Sequence, residues 1–249
     1  MTDILQKTYP LTASDIDGHR LLRPSALLSY LQNMATEHAD LLGIGGDVIL
    51  AEHGAFWMMA RLYLRLNRPI AFADREIAIH TWHRGATKSA IIYRDFDFFA
   101  GGEHLGEAVI SWVLADVRDR KLVKPASIPE IRESPRPERV KDIVPAKIKL
   151  PEGLSQAMVR QVYYSDTDIN GHMNNTKYAD IACDAIRYEN CCDQFLSELQ
   201  INYLCECFPG DELFILRGGD GDIHYVRGTD AAGKNRFDVS MRLGVIQTG

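Results

Sequence analysis

The sequence predicts an α+β protein made of two copies of one unit, each a long central helix wrapped by an antiparallel β-sheet. Three observations predict it. A polar loop leads into a helix-period apolar stripe twice along the chain, each stripe is followed by segments alternating with period two, and a proline-rich stretch separates the two passes. Each repeat is about 120 to 130 residues, an ordinary domain size.

In the first copy the loop is Ser14-Asp15-Ile16-Asp17-Gly18-His19. Pro24 suits a helical first turn, and Leu27, Leu28, Leu31, Met34, Ala35, His38 and Leu42 form an apolar stripe that stops near Gly43 and Gly45. From Phe56 the period becomes two: Leu62, Leu64 and Leu66 alternate with Arg61, Tyr63 and Arg65 until Asn67-Arg68-Pro69 breaks the run. Residues 76–82, 90–99 and 107–117 read as further strands, with Gly101-Gly102 a tight turn. The expected order is helix first, then an antiparallel meander.

The second copy opens on VYYSDTDINGHMNNTKYADIACDAI, residues 162–186, which reads as a strand, a loop and a helix start and crowds Asp166, Asp168, Asn170, His172, Asn174 and Asn175 into the loop beside Gly171. Tyr178, Ile181, Ala182, Ala185 and Ile186 then mark a buried helical face, and Asn174 or Asn175 supplies an oxygen for the first-turn amides. The first-copy loop reads as the same loop with two residues missing between Asp and Gly. Tyr63-Leu64-Arg65-Leu66 aligns with Tyr203-Leu204-Cys205-Glu206, which sets Leu66 against Glu206 and confines the chemistry to the second copy. Pro129, Pro135, Pro137, Pro145 and Pro151 make an extended linker. The expected organisation is therefore residues 1–127, a linker over 128–151, and residues 152–249.

Composition excludes several classes. With 46% hydrophobic and 25% charged residues the chain is neither disordered nor fibrous. A net charge of −6 argues against a nucleic-acid surface. No apolar run reaches membrane-spanning length and the start, MTDILQKTYP, lacks signal-peptide order, so the expected setting is the cytoplasm without membrane attachment. The five cysteines show no CxxC pair and read as reduced thiols, with neither zinc nor a disulfide framework expected.

Asp168-Ile169-Asn170-Gly171-His172-Met173-Asn174-Asn175-Thr176-Lys177-Tyr178 follows the pattern D-x-N-x-H-V-N-N-x-K-Y, with Met for Val, and Ile201-Asn202-Tyr203-Leu204-Cys205-Glu206-Cys207 ends in Glu-Cys. In these two motifs the chain resembles the acyl-acyl-carrier-protein thioesterases of plants and bacteria. The resemblance implies two tandem hotdog folds, an acyl-chain tunnel inside the first and a catalytic loop from the second. It also implies acyl carrier protein bearing a fatty acyl chain as partner, and carries catalytic roles onto Asp168, Asn170 and His172, with Glu206 on the facing strand.

Thioester hydrolysis requires an activated nucleophile, a donor for the oxyanion and a dry slot for the chain. Glu206 with His172 can activate water, Asn170 can hold the thioester or the water, and Asp168 can fix the loop and the imidazole tautomer. Cys207 is the alternative nucleophile, in a Cys-His-Asn set. Neighbours on a strand face opposite ways, so only one of Glu206 and Cys207 can look into the site. Trp57 and Met59, with Met58 and Trp82, are candidate lining for the acyl chain or plain core, and Asn174 and Asn175 are candidate substrate contacts or helix caps. Arg61, Arg65, Arg68 and Lys177 are candidate docking cations for an acidic carrier. Neither mechanism needs a cofactor, and the internal pair of units allows a monomer as well as a homodimer. Two other readings remain: an acyl-coenzyme A thioesterase on the same fold, and a non-catalytic acyl-binding module.

Overall fold

Each half of the chain starts on an edge strand, turns through a polar loop into a helix, and returns as a meander. The computed structural model describes residues 3–86, 88–131 and 142–246. Its first half comprises β1 (Leu5–Pro10), α1 (Pro24–Leu41), α2 (Gly46–His53), β2 (Ala55–Leu66), β3 (Glu76–His83), β4 (Ile91–Ala100), β5 (Glu103–Asp116) and the two-residue β6 (Leu122–Val123). The second comprises β7 (Ser155–Gln161), α3 (Lys177–Ile186), β8 (Gln194–Tyr203), β9 (Glu212–Asp220), β10 (Ile223–Thr229) and β11 (Asn235–Val245).

The strands form one sheet in the order β1-β3-β4-β5-β2-β8-β11-β10-β9-β7, with β6 added beside β5. Read inward from either edge, equivalent strands come in the same order, so the halves meet at β2 and β8 as if related by a twofold axis. Arg61 faces Asn202 and Arg65 faces Glu198 across that seam. This is a pair of hotdog folds with their sheets joined side by side.

The helices lie where the stripes place them. Leu27, Leu28, Leu31, Met34, Ala35 and His38 are the buried residues of α1, and Tyr178, Ala179, Ile181, Ala182 and Ala185 those of α3. Both pack into one apolar core with Leu62, Leu64, Leu199 and Ile201 of the two central strands. α3 is 10 residues against 18 for α1, closing at Arg187 in the left-handed conformation (φ 58°).

Two differences from expectation concern the edges and the linker. Each unit begins with an edge strand: β1 is absent from the expected order, and the strand expected from Val162 lies just upstream as β7; β1 is half-exposed, β7 mostly exposed, and neither offers an apolar alternation to read. The first residues of the expected linker belong to the first unit: Ile128 and Ile131 are buried with Ile44, Ile49, Ile92 and Leu114 in a second small core beneath α2. Residues 132–141 of that linker lie outside the described residues. Residues 142–151 form neither helix nor strand and are pinned by their carbonyls, Ile143 accepting from Arg84 (2.9 Å), Pro145 from Arg61 (3.2 Å), and Ala146 from Gln200.

A buried polar group inside the first unit gives the fold a pH dependence. Arg94 Nη1 bonds His38 Nδ1 at 2.8 Å, and the neighbouring His83 accepts the Gly85 amide at Nδ1 (2.9 Å), which requires the neutral ring. Burial, reinforced by the Arg94 and His38 charges and opposed by Asp3, pushes His83 from 6.5 down to about 4. Below the unfolded value the unfolded chain binds a proton that the folded chain refuses. The His83 contribution to stability is therefore expected to be level above about pH 6.5 and to fall by up to roughly 3 kcal/mol as pH drops to about 4. Denaturant midpoints across that window, compared with His83→Gln, check it: the variant should lose the part of the slope due to His83, and an unchanged slope would refute the assignment.

Candidate active site

The polar loop of the second unit is held open by its own backbone. The Asp168 amide donates to the His172 carbonyl (3.1 Å), the Met173 amide to the Cys207 carbonyl (2.7 Å), and the Asn174 amide to the Asp166 carbonyl (2.8 Å). Gly171, at φ 75°, makes the reversal that brings His172 back beside Asp168. Asp168 Oδ1 accepts the Asn170 amide at 2.9 Å, so Asp168 braces the loop as well as facing the imidazole.

The first-unit loop repeats these bonds position by position. Asp17 donates to Leu21 (2.8 Å), Leu22 to Ile70 (2.8 Å), and Arg23 to Asp15 (2.8 Å). Asp17 Oδ1 accepts the His19 amide at 2.9 Å. The two loops are therefore equal in length, and the expected two-residue gap is not there. His19 occupies the position of Asn170, Arg20 (φ 63°) that of Gly171, and Leu21 that of His172. The partner segment shifts likewise: Ile70 matches Cys207 and Pro69 matches Glu206, where Leu66 was the expected counterpart of Glu206.

Glu206 is not on a strand. β8 stops at Tyr203, and the Leu204 and Cys205 amides both donate to the Arg236 carbonyl at 3.0 Å, a bulge that ends the alternation. Glu206 and Cys207 still part company in the loop that follows. Glu206 keeps its carboxylate partly exposed, with Oε1 4.0 Å from His172 Nε2 and 3.7 Å from Arg120 Nη1, while Arg236 Nη1 holds its carbonyl at 2.8 Å. Cys207 is fully buried in the core beside Tyr178, and burial pushes its thiol pKa up. A protonated thiol at the position of a core isoleucine is poorly placed to attack a thioester.

The other sequence candidates divide in the same way. His172 Nδ1 is 3.9 Å from Asp168 Oδ1, and its ring meets Phe208 edge-on at 6.3 Å. The exposed Asn170 side chain makes no hydrogen bond to another described residue. Asn174 Oδ1 takes the Thr176 amide (2.9 Å) and hydroxyl (2.8 Å), a turn just ahead of α3 that leaves the first-turn amides without the expected side-chain cap, and the Asn175 carbonyl takes the Tyr203 hydroxyl (3.0 Å). Trp57 packs into the small core under α2 and donates its indole N–H to the Ile44 carbonyl (2.9 Å), whereas Met59 sits in the main core.

The expected docking cations are engaged within the molecule. Arg61 bonds the Pro145 carbonyl (3.2 Å), Arg65 pairs with Glu107 (2.5 Å), Arg68 with Asp74 (3.0 Å), and Lys177 lies 3.7 Å from Asp180. Glu52, His53 and Glu130 bring potential ligand atoms within 4.8 Å of one another, but His53 Nε2 already bonds Glu130 at 3.1 Å, which accounts for the grouping.

Two family models match the chain: the acyl-ACP thioesterase N-terminal domain over residues 2–133, and the C-terminal domain over residues 153–239. The chain belongs to the acyl-ACP thioesterase family. It is 24% identical over 222 residues to the dodecanoyl-[acyl-carrier-protein] hydrolase of Cinnamomum camphora, covering 82% of this chain and 56% of that protein. To the palmitoyl-acyl carrier protein thioesterase of Cuphea hookeriana it is 24% identical, covering 82% and 52%. The chain thus spans about half the length of these curated relatives, which are chloroplastic by name, a setting different from the expected cytoplasm. No described helix is long and apolar enough to cross a membrane. Among solved structures, an acyl-ACP thioesterase from Bacteroides thetaiotaomicron superposes with TM-score 0.83 at 21% identity, covering 97% of this chain and 98% of the other. The 12:0-ACP thioesterase from Umbellularia californica gives 0.78 at 18%, covering 98% of each.

In this acyl-ACP thioesterase fold both loops lie between the units, and only the second brings a histidine and two carboxylates together. The first-unit loop faces Tyr188, Phe195 and Leu196 of the second unit around a shallow, largely apolar cleft of about 20 Å³, the space of about one water. The second-unit loop faces the start of β2 and the β5–β6 turn of the first unit, where Arg120 stacks over Phe56 at 4.8 Å and reaches Glu206. Sequence reasoning missed Arg120, Phe208 and Arg236. The run Arg118-Asp119-Arg120-Lys121 is visible as a charge cluster, but its place beside the second unit's loop is not.

Proposed function

We propose that the chain hydrolyses fatty acyl thioesters carried on acyl carrier protein, with Glu206 and His172 activating the water. The observation that carries this reading is the 4.0 Å separation of Glu206 Oε1 from His172 Nε2, at an opening beside an unengaged Asn170 amide. One water about 2.8 Å from both atoms fits that gap. Glu206 takes a proton from the water as its oxygen bonds to the thioester carbonyl carbon. The Asn170 amide donates to the oxyanion, His172 steadies the developing charges, and collapse breaks the C–S bond. The proton passes to the leaving thiolate, and the products are a fatty acid and the carrier thiol. Asp168 holds the loop that presents Asn170 and His172. The buried, protonated Cys207 is left as packing.

Carrier protein as the thioester's bearer is supported by family membership and by the printed names of the relatives. The test is turnover on matched acyl-carrier-protein and acyl-coenzyme A thioesters. We expect kcat/KM at least about tenfold higher on the carrier-borne substrate, a difference of about 1.4 kcal/mol. Equal or greater efficiency on coenzyme A thioesters would transfer the substrate assignment to that class. No hydrolysis of either, with acyl chains still bound, would make the chain a binding module.

A further inference from the structure

We propose that the turn between β5 and β6 is the docking surface for the acidic carrier protein, an inference that rests on the thioesterase reading above. The turn and its flanks, residues 116–124, carry Arg118, Arg120, Lys121 and Lys124 against Asp116 and Asp119, a local cationic excess on a chain of net charge −6. All four cations are exposed. Arg118 pairs with Asp116 (3.6 Å), Lys121 with Asp119 (2.7 Å) and Arg120 with Glu206 across the units (3.7 Å), so the turn's own two acids are outnumbered by four cations.

Position makes this surface the fitting one. The turn is rigid, closed by the Arg120 amide on the Asp116 carbonyl (3.0 Å) and the Asp116 amide on the Lys121 carbonyl (2.9 Å). Arg120 anchors it 3.7 Å from Glu206, so a carrier seated on the turn delivers its thioester arm to the second-unit loop. Exposed apolar side chains flank the cations, with Val117 and Leu122 on the turn and Ile169, Leu204 and Phe208 around the opening. Cations beside scattered apolar side chains suit an acidic helical face and steer its approach. The turn cations are the more exposed set: the Arg118, Arg120 and Lys121 side chains are 84%, 63% and 82% exposed, against 50%, 32% and 34% for Arg65, Arg68 and Lys177.

The test reverses the three cations that do not touch Glu206, in Arg118→Glu/Lys121→Glu/Lys124→Glu, and reads binding apart from turnover. Fluorescence anisotropy of labelled acyl carrier protein should show Kd weakened about ten- to hundredfold, with the wild-type affinity falling steeply between low and high salt and the variant nearly indifferent. Hydrolysis of a short acyl-pantetheine thioester, which lacks the protein surface, should stay at the wild-type rate. Wild-type carrier affinity in the variant would overturn the proposal. So would a matching loss on the pantetheine thioester, which would mark the turn as structural. If the wild type hydrolyses nothing, the thioesterase reading falls while the anisotropy comparison still decides the docking surface.

Discussion

Glu206→Gln is expected to lower kcat on carrier-borne thioesters by about 10²–10⁴-fold, the usual contribution of a positioned general base. The substitution keeps the shape of the side chain, and the Arg236 bond to the Glu206 carbonyl survives because it is a backbone contact. KM and thermal stability should therefore move little. Cys207→Ala is the paired measurement. Its sulfur lies in the core at the place of Ile70, so the loss should appear as about 1 kcal/mol of stability, with the rate kept. The reverse pattern, a dead Cys207→Ala beside an active Glu206→Gln, would establish a cysteine nucleophile and overturn the reading of the loop.

The sequence carries the duplication because helix and strand periods survive in both copies. Leu27 to His38 and Tyr178 to Ala185 bury the faces their spacing predicts. What the sequence hides is register. Matching Gly18-His19 to Gly171-His172 is the natural pairing of letters, yet the backbone bonds of Asp17 and Asp168 place Leu21, and not His19, at the histidine position. Likewise Leu204-Cys205-Glu206-Cys207 reads as a continuing strand, because nothing in those letters announces two amides sharing the Arg236 carbonyl. β1 escapes and β7 is placed a few residues late for another reason: these edge strands bury little, and a polar run such as Gln6-Lys7-Thr8 resembles a loop. The Arg120–Glu206 contact is a product of the assembled sheet, joining the end of β5 in one unit to the loop of the other, and no local pattern encodes it.

The same duplication supplies the second large effect, through Asp166 and its counterpart Asp15. Both accept an amide three residues upstream, Tyr163 (3.0 Å) for Asp166 and Thr12 (2.9 Å) for Asp15, and both pass their carbonyl to the residue that closes the loop. Only Asp166 is buried, and only it is salt-bridged, by Arg160 at 2.5 Å. Asp166→Ala would leave the part-exposed Arg160 guanidinium with Asp184 as its acidic neighbour and the Tyr163 amide without its acceptor. We expect about 2–3 kcal/mol of destabilisation, from the lost charge-assisted bond and the unsatisfied amide. In a chain of this length that lowers Tm by roughly 5–10 °C. Asp15→Ala, at a half-exposed site without an arginine, should cost only about 1 kcal/mol. Melting curves of the two variants decide it, because equal shifts would mean that the Arg160 pair contributes nothing. Turnover measured well below both transitions adds the functional half: Asp166→Ala should lower kcat by loosening the loop that sets His172 against Glu206, whereas Asp15→Ala, whose loop presents Leu21, should leave kcat unchanged.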